Sequence, residues 1–422
     1  MWAFRTAMKH NLIPSCLAFG LIAALSGSAR AQSIWHVDVN ATAPGDGSPG
    51  APYASIQFAI DAATTQHDDT LLVAPGVYVE NFELRQKRLA IVGVGGPEAT
   101  VLRPAGPGPV ARLDATGCTL EGFTITGVAA ASDPAVRVPS QTNANAWIRR
   151  CVITGNAGNG IAQNYDAQVA NCTIAYNGGQ AIVMGGLAVM TVRNCVLWGN
   201  GAPSSNFTGF GTSVEYCILE VPFCVGCNNL VADPQLWNPL LGDLRPRAGS
   251  PCIDAGDPSS GLDPDGSPRD IGAFAFDAGY THPTQSYCTA KLNSLGCTPA
   301  VSWSGAPSAS GAPFTIQCAQ VLNQRSGLFF YGYAPRFHPF QGGWLCVTSP
   351  TRRTAVSNSG GSPAPINDCS GAHVFDFDAR IQSGVDPALT AGQLVCGQFW
   401  YRDPMSSFQS GRSDAIAFGI GP

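Results

Sequence analysis

Hydrophobic residues recur at a fixed spacing in the middle of the chain. Four segments align without a gap: RRCVITGN, ANCTIAYN, RNCVLWGN and EYCILEVP. Their cysteines are Cys151, Cys172, Cys195 and Cys217. An aliphatic residue follows each cysteine two positions later, and apolar residues at positions i and i+2 predict a strand with one inward face. The repeat of about 22 residues predicts a solenoid.

A polar position recurs in the same repeat. Asn156, Asn177 and Asn200 each lie five positions after a cysteine, which predicts a bend at the same place in every coil. An earlier copy, EGFTITG, has Phe123 at the cysteine position and Ile125 at the aliphatic one. Coils stacked about 4.8 Å apart place equivalent residues of successive coils above one another, so the repeat predicts buried columns of cysteine, aliphatic and asparagine side chains. We interpret the cysteines as small buried hydrophobic residues, with a metal or redox site as the alternative.

Upstream of the repeats, the spacing of apolar residues changes. Ile56, Ala59, Ile60 and Ala63 follow Ser55 at helical spacing, so Ser55 is the predicted cap of a short amphipathic helix. A solenoid needs such a cover because its terminal coil otherwise exposes a sheet edge.

After Phe276 the repeat pattern ends. Short β-type runs such as GLFFYGY and GQLVCGQFWY alternate with Gly, Pro, Ser and Asn turns, and six cysteines lie between Cys288 and Cys396. This pattern predicts a disulfide-stapled antiparallel β-sandwich with three disulfides. The predicted organisation is a signal peptide over 1–31, a parallel β-helix with a capping helix over 32–277, a linker over 278–286 and a Cys-rich β domain over 287–422.

Composition and charge bear on the location of the protein and on its partners. Arg5 and Lys9 precede the apolar stretch Leu12 to Leu25, and cleavage is predicted after Ala31. The protein is therefore expected to be secreted, or held at the cell surface or in the periplasm, without membrane insertion. The whole chain has a net charge of −5. Residues 1–31 contain three basic residues and no acidic one, so the chain without them is more negative. With no basic patch, nucleic acid is excluded as a partner.

Two parts of the chain resemble known families. The segments SIQFAIDAA and DTLLVAPGVYVEN resemble the entry segment of pectin-lyase-like proteins. The segments SPCIDAGD, DPDGSPRD and DIGAFA resemble the end of exported bacterial β-helix proteins, with Ala275 replacing the usual acidic residue. The resemblance covers about residues 33 to 277 and implies a right-handed parallel β-helix. The Cys-rich segment resembles a C-terminal module of diverse exported bacterial proteins, which implies anchoring, sorting or surface attachment.

The resemblance implies little about chemistry, because pectin-lyase-like proteins include both enzymes and inert stalks. The Gly-His-Gly of polygalacturonase-like hydrolases is missing, as are the Asp-Pro-His of alginate epimerases and the acidic coils of pectate lyases. The remaining catalytic candidates are Asp166 and Arg193, for which a surface ion pair is the alternative. Tyr165 and Trp198 are candidates for stacking against a sugar ring.

Two further clusters suggest metal binding. Asp254, Asp257, Asp263 and Asp265 are the densest acidic group and resemble part of a calcium loop, with structural turns as the alternative. No other cofactor is expected. Cys224 and Cys227 have the spacing of a zinc or redox motif, but we expect a structural disulfide, with Cys252 or Cys118 as partner.

Aromatic residues of the C-terminal segment complete the set of candidates. Trp344, Trp400 and Tyr401, together with Tyr331, are candidates for a sugar-stacking platform, with core packing as the alternative. The sequence therefore favours an exported, non-catalytic protein that binds a polysaccharide or cell-envelope glycan or acts as a structural element. The alternative is a polysaccharide lyase, glycoside hydrolase or carbohydrate esterase.

Overall fold

The computed structural model describes residues 32–422 except 63, 140–144, 165, 186–188, 202–206, 209–211 and 225, and only the backbone of 207 and 208. The predicted signal peptide therefore lies outside the described residues. None of the described helices is long and apolar enough to cross a membrane.

Three parallel sheets run along the solenoid, and each coil passes through them in turn. The first sheet contains Ile34–Val37, Thr70–Val73, Ala90–Gly93, Thr119–Glu121, Ala146–Arg149, Ala167–Ala170, Met190–Arg193 and Thr212–Glu215. The second contains Gly76–Val79, Thr100–Arg103, Thr124–Ile125, Val152–Thr154, Thr173–Ala175, Val196–Trp198, Ile218–Leu219 and Leu230–Val231. The third contains Phe82–Glu83, Ala111–Arg112, Val136–Val138, Ile161–Gln163, Ile182–Met184 and Phe207–Thr208. The predicted parallel β-solenoid is confirmed.

A sharp corner separates the first sheet from the second. The corner residue of successive coils has a positive φ angle: Gly122, Arg150, Asn171, Asn194, Tyr216 and Asn228. Glycine and asparagine adopt this conformation at low cost, which explains most of the column. The corner turns the chain within one residue, so the cysteine that follows points directly into the core.

The predicted internal columns are present. Cys151, Cys172, Cys195 and Cys217 are fully buried, unpaired thiols. The backbone N–H of Cys172 points at Sγ of Cys195 at 3.4 Å, and burial raises the pKa of the Cys195 thiol. The column consists of small buried side chains that stay protonated, as expected for a structural role.

The asparagine column satisfies backbone groups at the next bend. Nδ2 of Asn156 donates to Oδ1 of Asn177 at 2.9 Å, and Nδ2 of Asn177 donates to Oδ1 of Asn200 at 3.0 Å. Each side chain also donates to a backbone carbonyl of the preceding coil, as Asn177 does to Ile153 at 2.9 Å. Because these side chains are buried, the asparagine column supplies hydrogen bonds that water cannot supply at this depth.

The predicted helix covers the first end of the solenoid. It spans Ile56–Asp61, and the Ser55 side chain accepts a hydrogen bond from the N–H of Phe58 at 3.0 Å. Glu80 accepts from the N–H groups of Ile56 and Gln57, both at 2.9 Å. The helix is therefore capped from the second sheet, and its buried residues close the core.

After the last coil, the chain folds back over the outer face of the second sheet. This end segment, residues 232–277, contains the hairpin Leu236–Asn238 with Asp243–Pro246 and the 3-10 helices Pro239–Leu241 and Pro258–Ser260. Leu236 and Leu244 pack against Val152 and Ala175. Gly272 has φ 117°, and a Cβ there would lie 3.1 Å from Oγ1 of Thr173. The glycine of the DIGAFA motif therefore lets the backbone lie directly on the sheet.

The C-terminal region is antiparallel, as predicted. One sheet contains, in order, Gln285–Tyr287, Ser410–Gly419, Leu394–Arg402, Ser326–Gly332 and Arg352–Arg353, and Ser357–Asn358 also pairs with Ser326–Gly332. Another contains Ala300–Gly305, Phe314–Val321 and Gly371–Asp376, followed by the helix Phe377–Gln382. These two sheets share one core. A hairpin, Pro335–Phe340 with Gly343–Val347, completes the region.

The disulfides correct two expectations. Cys288 bonds Cys346 and Cys297 bonds Cys369, so the six-cysteine region has two disulfides and the prediction of three is wrong. The remaining cysteines, Cys318 and Cys396, are buried free thiols that belong to different hydrophobic clusters.

The second correction concerns the Cys-Val-Gly-Cys motif. Cys224 and Cys227 bond each other rather than Cys252 or Cys118, which are buried thiols. A four-residue loop can close on itself at the turn, whereas Cys252 belongs to the end segment and packs against Val196. The motif is therefore a structural disulfide, with a different pairing from the one expected.

Candidate functional site: two grooves

The first groove lies between the solenoid and its end segment and has a volume of about 490 Å³. Charged side chains line it, among them Glu121, Arg150, Arg245 and Arg269. We call it the solenoid groove. Glu121 contacts Arg150 and also lies 3.2 Å from Nη2 of Arg149. The Glu121 carboxylate is therefore held in ion pairs with two guanidinium groups that neutralise its charge.

The opposite wall of the solenoid groove has the same character. Arg269 donates to Asp263 at 2.7 Å, and Asp263 also accepts from the N–H of Asp270. Asp270 is buried and accepts from the N–H groups of Asp254 and Phe276, at 2.7 and 2.6 Å. Burial raises the pKa of the Asp270 carboxyl. These contacts hold the turns of the end segment in place.

The structure does not bring the two catalytic candidates together. Asp166 precedes the strand Ala167–Ala170 and accepts a hydrogen bond from the N–H of Val189 at 2.8 Å. Arg193 pairs in register with Ala170 at the other end of that strand, about 13 Å away along the strand direction. Its guanidinium contacts Glu215 at 2.7 Å and Asp257 at 2.9 Å.

Of the two sugar-stacking candidates of the solenoid, only Trp198 belongs to the described residues, and its ring is covered. Tyr165 lies outside the described residues. Trp198 is half-buried and packs in two clusters, against Phe274 and Ala255 of the end segment. The chain that folds back after the last coil covers this ring.

The four aspartates of the proposed calcium loop serve separate local contacts. Asp257 accepts from the N–H and hydroxyl of Ser259, Asp265 accepts from Ser267, and Asp263 pairs with Arg269. The carboxylate of Asp254 is exposed. Within the described residues, no three His, Cys, Asp or Glu side chains group together as a metal site.

The second groove lies in the C-terminal region and has a volume of about 440 Å³. Its floor is the outer face of the antiparallel sheet, where Leu328 pairs with Trp400 and Trp400 pairs with Arg412. Phe330, two residues from Leu328, lies on the same face. We call it the sheet groove.

The hairpin forms one wall of the sheet groove. Phe340, Gln341 and Leu345 lie on this side, and Ser349 and Thr351 follow the hairpin along the rim. The groove therefore combines aromatic rings with amide and hydroxyl groups. This combination suits a ligand that has apolar faces and polar edges.

The other C-terminal candidates lie elsewhere. Tyr401 and Tyr331 are fully buried in the core, so they are not available for stacking. Trp344 is 38% exposed, but it does not line the groove, since strand alternation directs it away from Leu345. Trp400 is thus the one aromatic candidate of the C-terminal segment that lines the described groove.

The sequence analysis did not identify the residues that surround Trp400. Phe330, Phe340, Arg353 and Arg412 line the same groove. Strand alternation in GLFFYGY and QFWYR places Phe330 and Trp400 opposite the core residues Phe329 and Phe399, and this signal was available in the sequence. The sequence did not show which of these strands are neighbours in the sheet.

Residues 110–219 match the protein family described as a right handed beta helix region. This part of the chain is a right-handed β-helix. The predicted fold is therefore confirmed by both the sheet topology and the family match.

Several solved structures are similar to parts of this chain. They include a pectin methylesterase from carrot (14% identity, TM-score 0.30, covering 45% of this chain and 72% of that one) and a rhamnogalacturonan lyase (11%, 0.30, 44% and 68%). A pectin methylesterase from Aspergillus niger is a third, with 11% identity, a TM-score of 0.27 and coverage of 48% and 84%. No curated protein matches the chain significantly in sequence.

Proposed function

We propose that this protein is an exported, non-catalytic glycan-binding protein and that the sheet groove holds the sugar. The observation that supports this proposal is the position of Trp400 and Phe330 on the floor of an open groove. A pyranose ring presents C–H groups on its faces and hydroxyls on its edge. Aromatic rings suit the faces, and the polar groups of Gln341, Ser349 and Thr351 suit the edge.

The disulfides support the exported location. The three disulfides among the described residues fit an oxidising compartment, and two of them close long loops of the C-terminal region. In this proposal the β-helix is a rigid carrier. Its internal columns and mutual ion pairs stabilise the rod, and the groove on the C-terminal region contacts the glycan.

The solenoid groove favours an alternative function, a polysaccharide lyase, hydrolase or esterase. Asp270 lines this groove and has a raised pKa, and Glu121 lies beside Arg150. A carboxyl with a raised pKa and a second, charged carboxyl in one groove are a usual combination for an acid and a base. Against this alternative, the described hydrogen bonds already occupy both carboxylates.

The test is a polysaccharide array scored for both binding and cleavage, with and without calcium. We expect binding without cleavage, independent of calcium, and a loss of at least about tenfold in affinity for Trp400→Ala. Trp344→Ala is the matched control, because it removes an exposed tryptophan outside the groove. Unchanged binding by Trp400→Ala would refute the proposed site.

The same array tests the catalytic alternative. Cleavage that is lost in Asp270→Ala, Glu121→Gln or Asp166→Ala would favour an enzyme. Asp166→Ala is otherwise expected to cost only about 0.5 kcal/mol of stability, since its one described contact is an exposed hydrogen bond. If neither binding nor cleavage were found, the structural-element function would be favoured instead.

A further inference from the structure

The sheet groove has an unusual charge for this protein. The chain has 28 acidic and 23 basic residues, yet the residues lining the groove include Arg353 and Arg412 and no aspartate or glutamate. In the solenoid groove, by contrast, acidic and basic side chains face each other. The excess of positive charge is therefore a local property of the sheet groove.

Arg412 is the more informative of the two cations. It is only 4% exposed, and its guanidinium donates to the carbonyl of Phe340 at 2.9 Å and to Oε1 of Gln341 at 2.8 Å. The guanidinium also lies 4.5 Å from the centre of the Phe340 ring. None of the ion pairs among the described residues includes Arg412.

A buried charge without a counterion is costly to fold. Burial lowers the pKa of Arg412, and no carboxylate offsets the effect. Arg352, which precedes Arg353 in the sequence, shows the ordinary arrangement, because it pairs with Asp386. Arg412 is instead held rigidly by neutral acceptors at the edge of a groove, which leaves its charge for a ligand.

Arg353 adds a second charge on the same face. It pairs in register with Phe330, and its side chain is exposed. Phe330 and Trp400 thus form the floor between the two guanidinium groups. A flat ring on this floor can present an anionic substituent to either arginine.

We propose that the sheet groove binds an anionic saccharide, with a sugar ring on Trp400 and a carboxylate, sulfate or phosphate at Arg412 and Arg353. This inference rests on the proposed glycan-binding function of the same groove. Planar guanidinium groups bind such oxyanions through paired hydrogen bonds. The groove would therefore select ligands by their negative charge as well as by the shape of their rings.

The test compares neutral and charged polymers on two backbones. The probes are dextran, carboxymethyl-dextran and dextran sulfate, together with hydroxyethyl cellulose and carboxymethyl cellulose. We expect the charged polymers to bind at least about tenfold more tightly than the neutral polymers. Added salt should weaken only the charged members, because screening acts on the ion pairs. The preference between carboxymethyl and sulfate polymers identifies the anionic group.

Arg353→Gln is the primary variant because its side chain is exposed. It is expected to reduce the affinity for charged polymers about tenfold and to leave neutral ones unchanged. Arg103→Gln, an exposed arginine of the second sheet, is the control with the same change in net charge. Arg412→Lys retains the charge at the buried site but loses the planar fork, so a smaller loss is expected.

The outcomes separate this inference from the proposed function. If neutral and charged polymers bind equally and Arg353→Gln matches Arg103→Gln, the anionic preference is refuted, while loss of binding in Trp400→Ala still supports the glycan site. If binding of every polymer is insensitive to Trp400→Ala, both proposals fail.

Discussion

In the β-helix, Glu121 contacts Arg149 and Arg150, while Arg193 contacts Glu215 and Asp257. In the C-terminal region, Arg353 and Arg412 line a groove that has no carboxylate. The coils bring charges on neighbouring rungs close together, so opposite charges pair along the stack. The antiparallel region has no such repeat, and its groove retains positive charge. A charged groove is therefore a weaker sign of ligand binding in the β-helix than in the C-terminal region.

The two regions also differ in what stabilises them. Hydrogen-bonded columns such as Asn156, Asn177 and Asn200 link neighbouring coils of the β-helix. In the C-terminal region, Cys297 and Cys369 join segments 72 residues apart. Local repetition stabilises the first region, and long-range cross-links stabilise the second. The following three predictions test this difference.

The largest effect is expected from the long-range disulfide. Replacing Cys297 and Cys369 by serine should cost the C-terminal region about 4 kcal/mol, because the cross-link restricts a long loop in the unfolded chain. Replacing Cys224 and Cys227, which are three residues apart, should cost much less. Thermal unfolding followed by near-ultraviolet circular dichroism measures both. Equal losses would contradict the long-range role.

A pH effect of about 3 kcal/mol is expected at His373, in the core of the C-terminal region. Burial lowers the pKa of His373 from 6.5 to about 4. The unfolded chain therefore binds the proton first, so stability is complete above pH 6.5 and falls as pH decreases towards 4. Urea unfolding across this window measures the slope. His373→Gln retains a polar partner for Ser357 and should lack this contribution. An identical slope in the variant would refute the prediction.

A smaller effect is expected in the β-helix columns. Asn177→Ala should cost about 2 kcal/mol, because it leaves the buried backbone N–H of Asn156 without its acceptor and removes the link between the two side chains. Cys172→Ala removes only a small apolar side chain from the adjacent column and should cost about 1 kcal/mol. Chemical unfolding of the two variants gives the ranking, and a larger loss for Cys172→Ala would show that the thiol column has a further role.

Much of the β-helix was predictable because its contacts are local and repeated. The positions of Cys172 and Asn177 within each coil indicated buried columns, and Ser55 indicated the capping helix. The positive φ of Arg150 was not predictable, since arginine has no preference for it. The covering of Trp198 was also not predictable, because Phe274 and Ala255 reach it from a distant part of the chain.

The sequence alone determined the parallel solenoid, its capping helix and the β character of the C-terminal region, because regular spacing specifies which residues face inward. The tertiary structure decided which candidates became accessible. It buried Tyr401, separated Asp166 from Arg193, and placed Trp400 between Leu328 and Arg412. Antiparallel strands distant in sequence pair through long-range packing, and no local pattern specifies those neighbours.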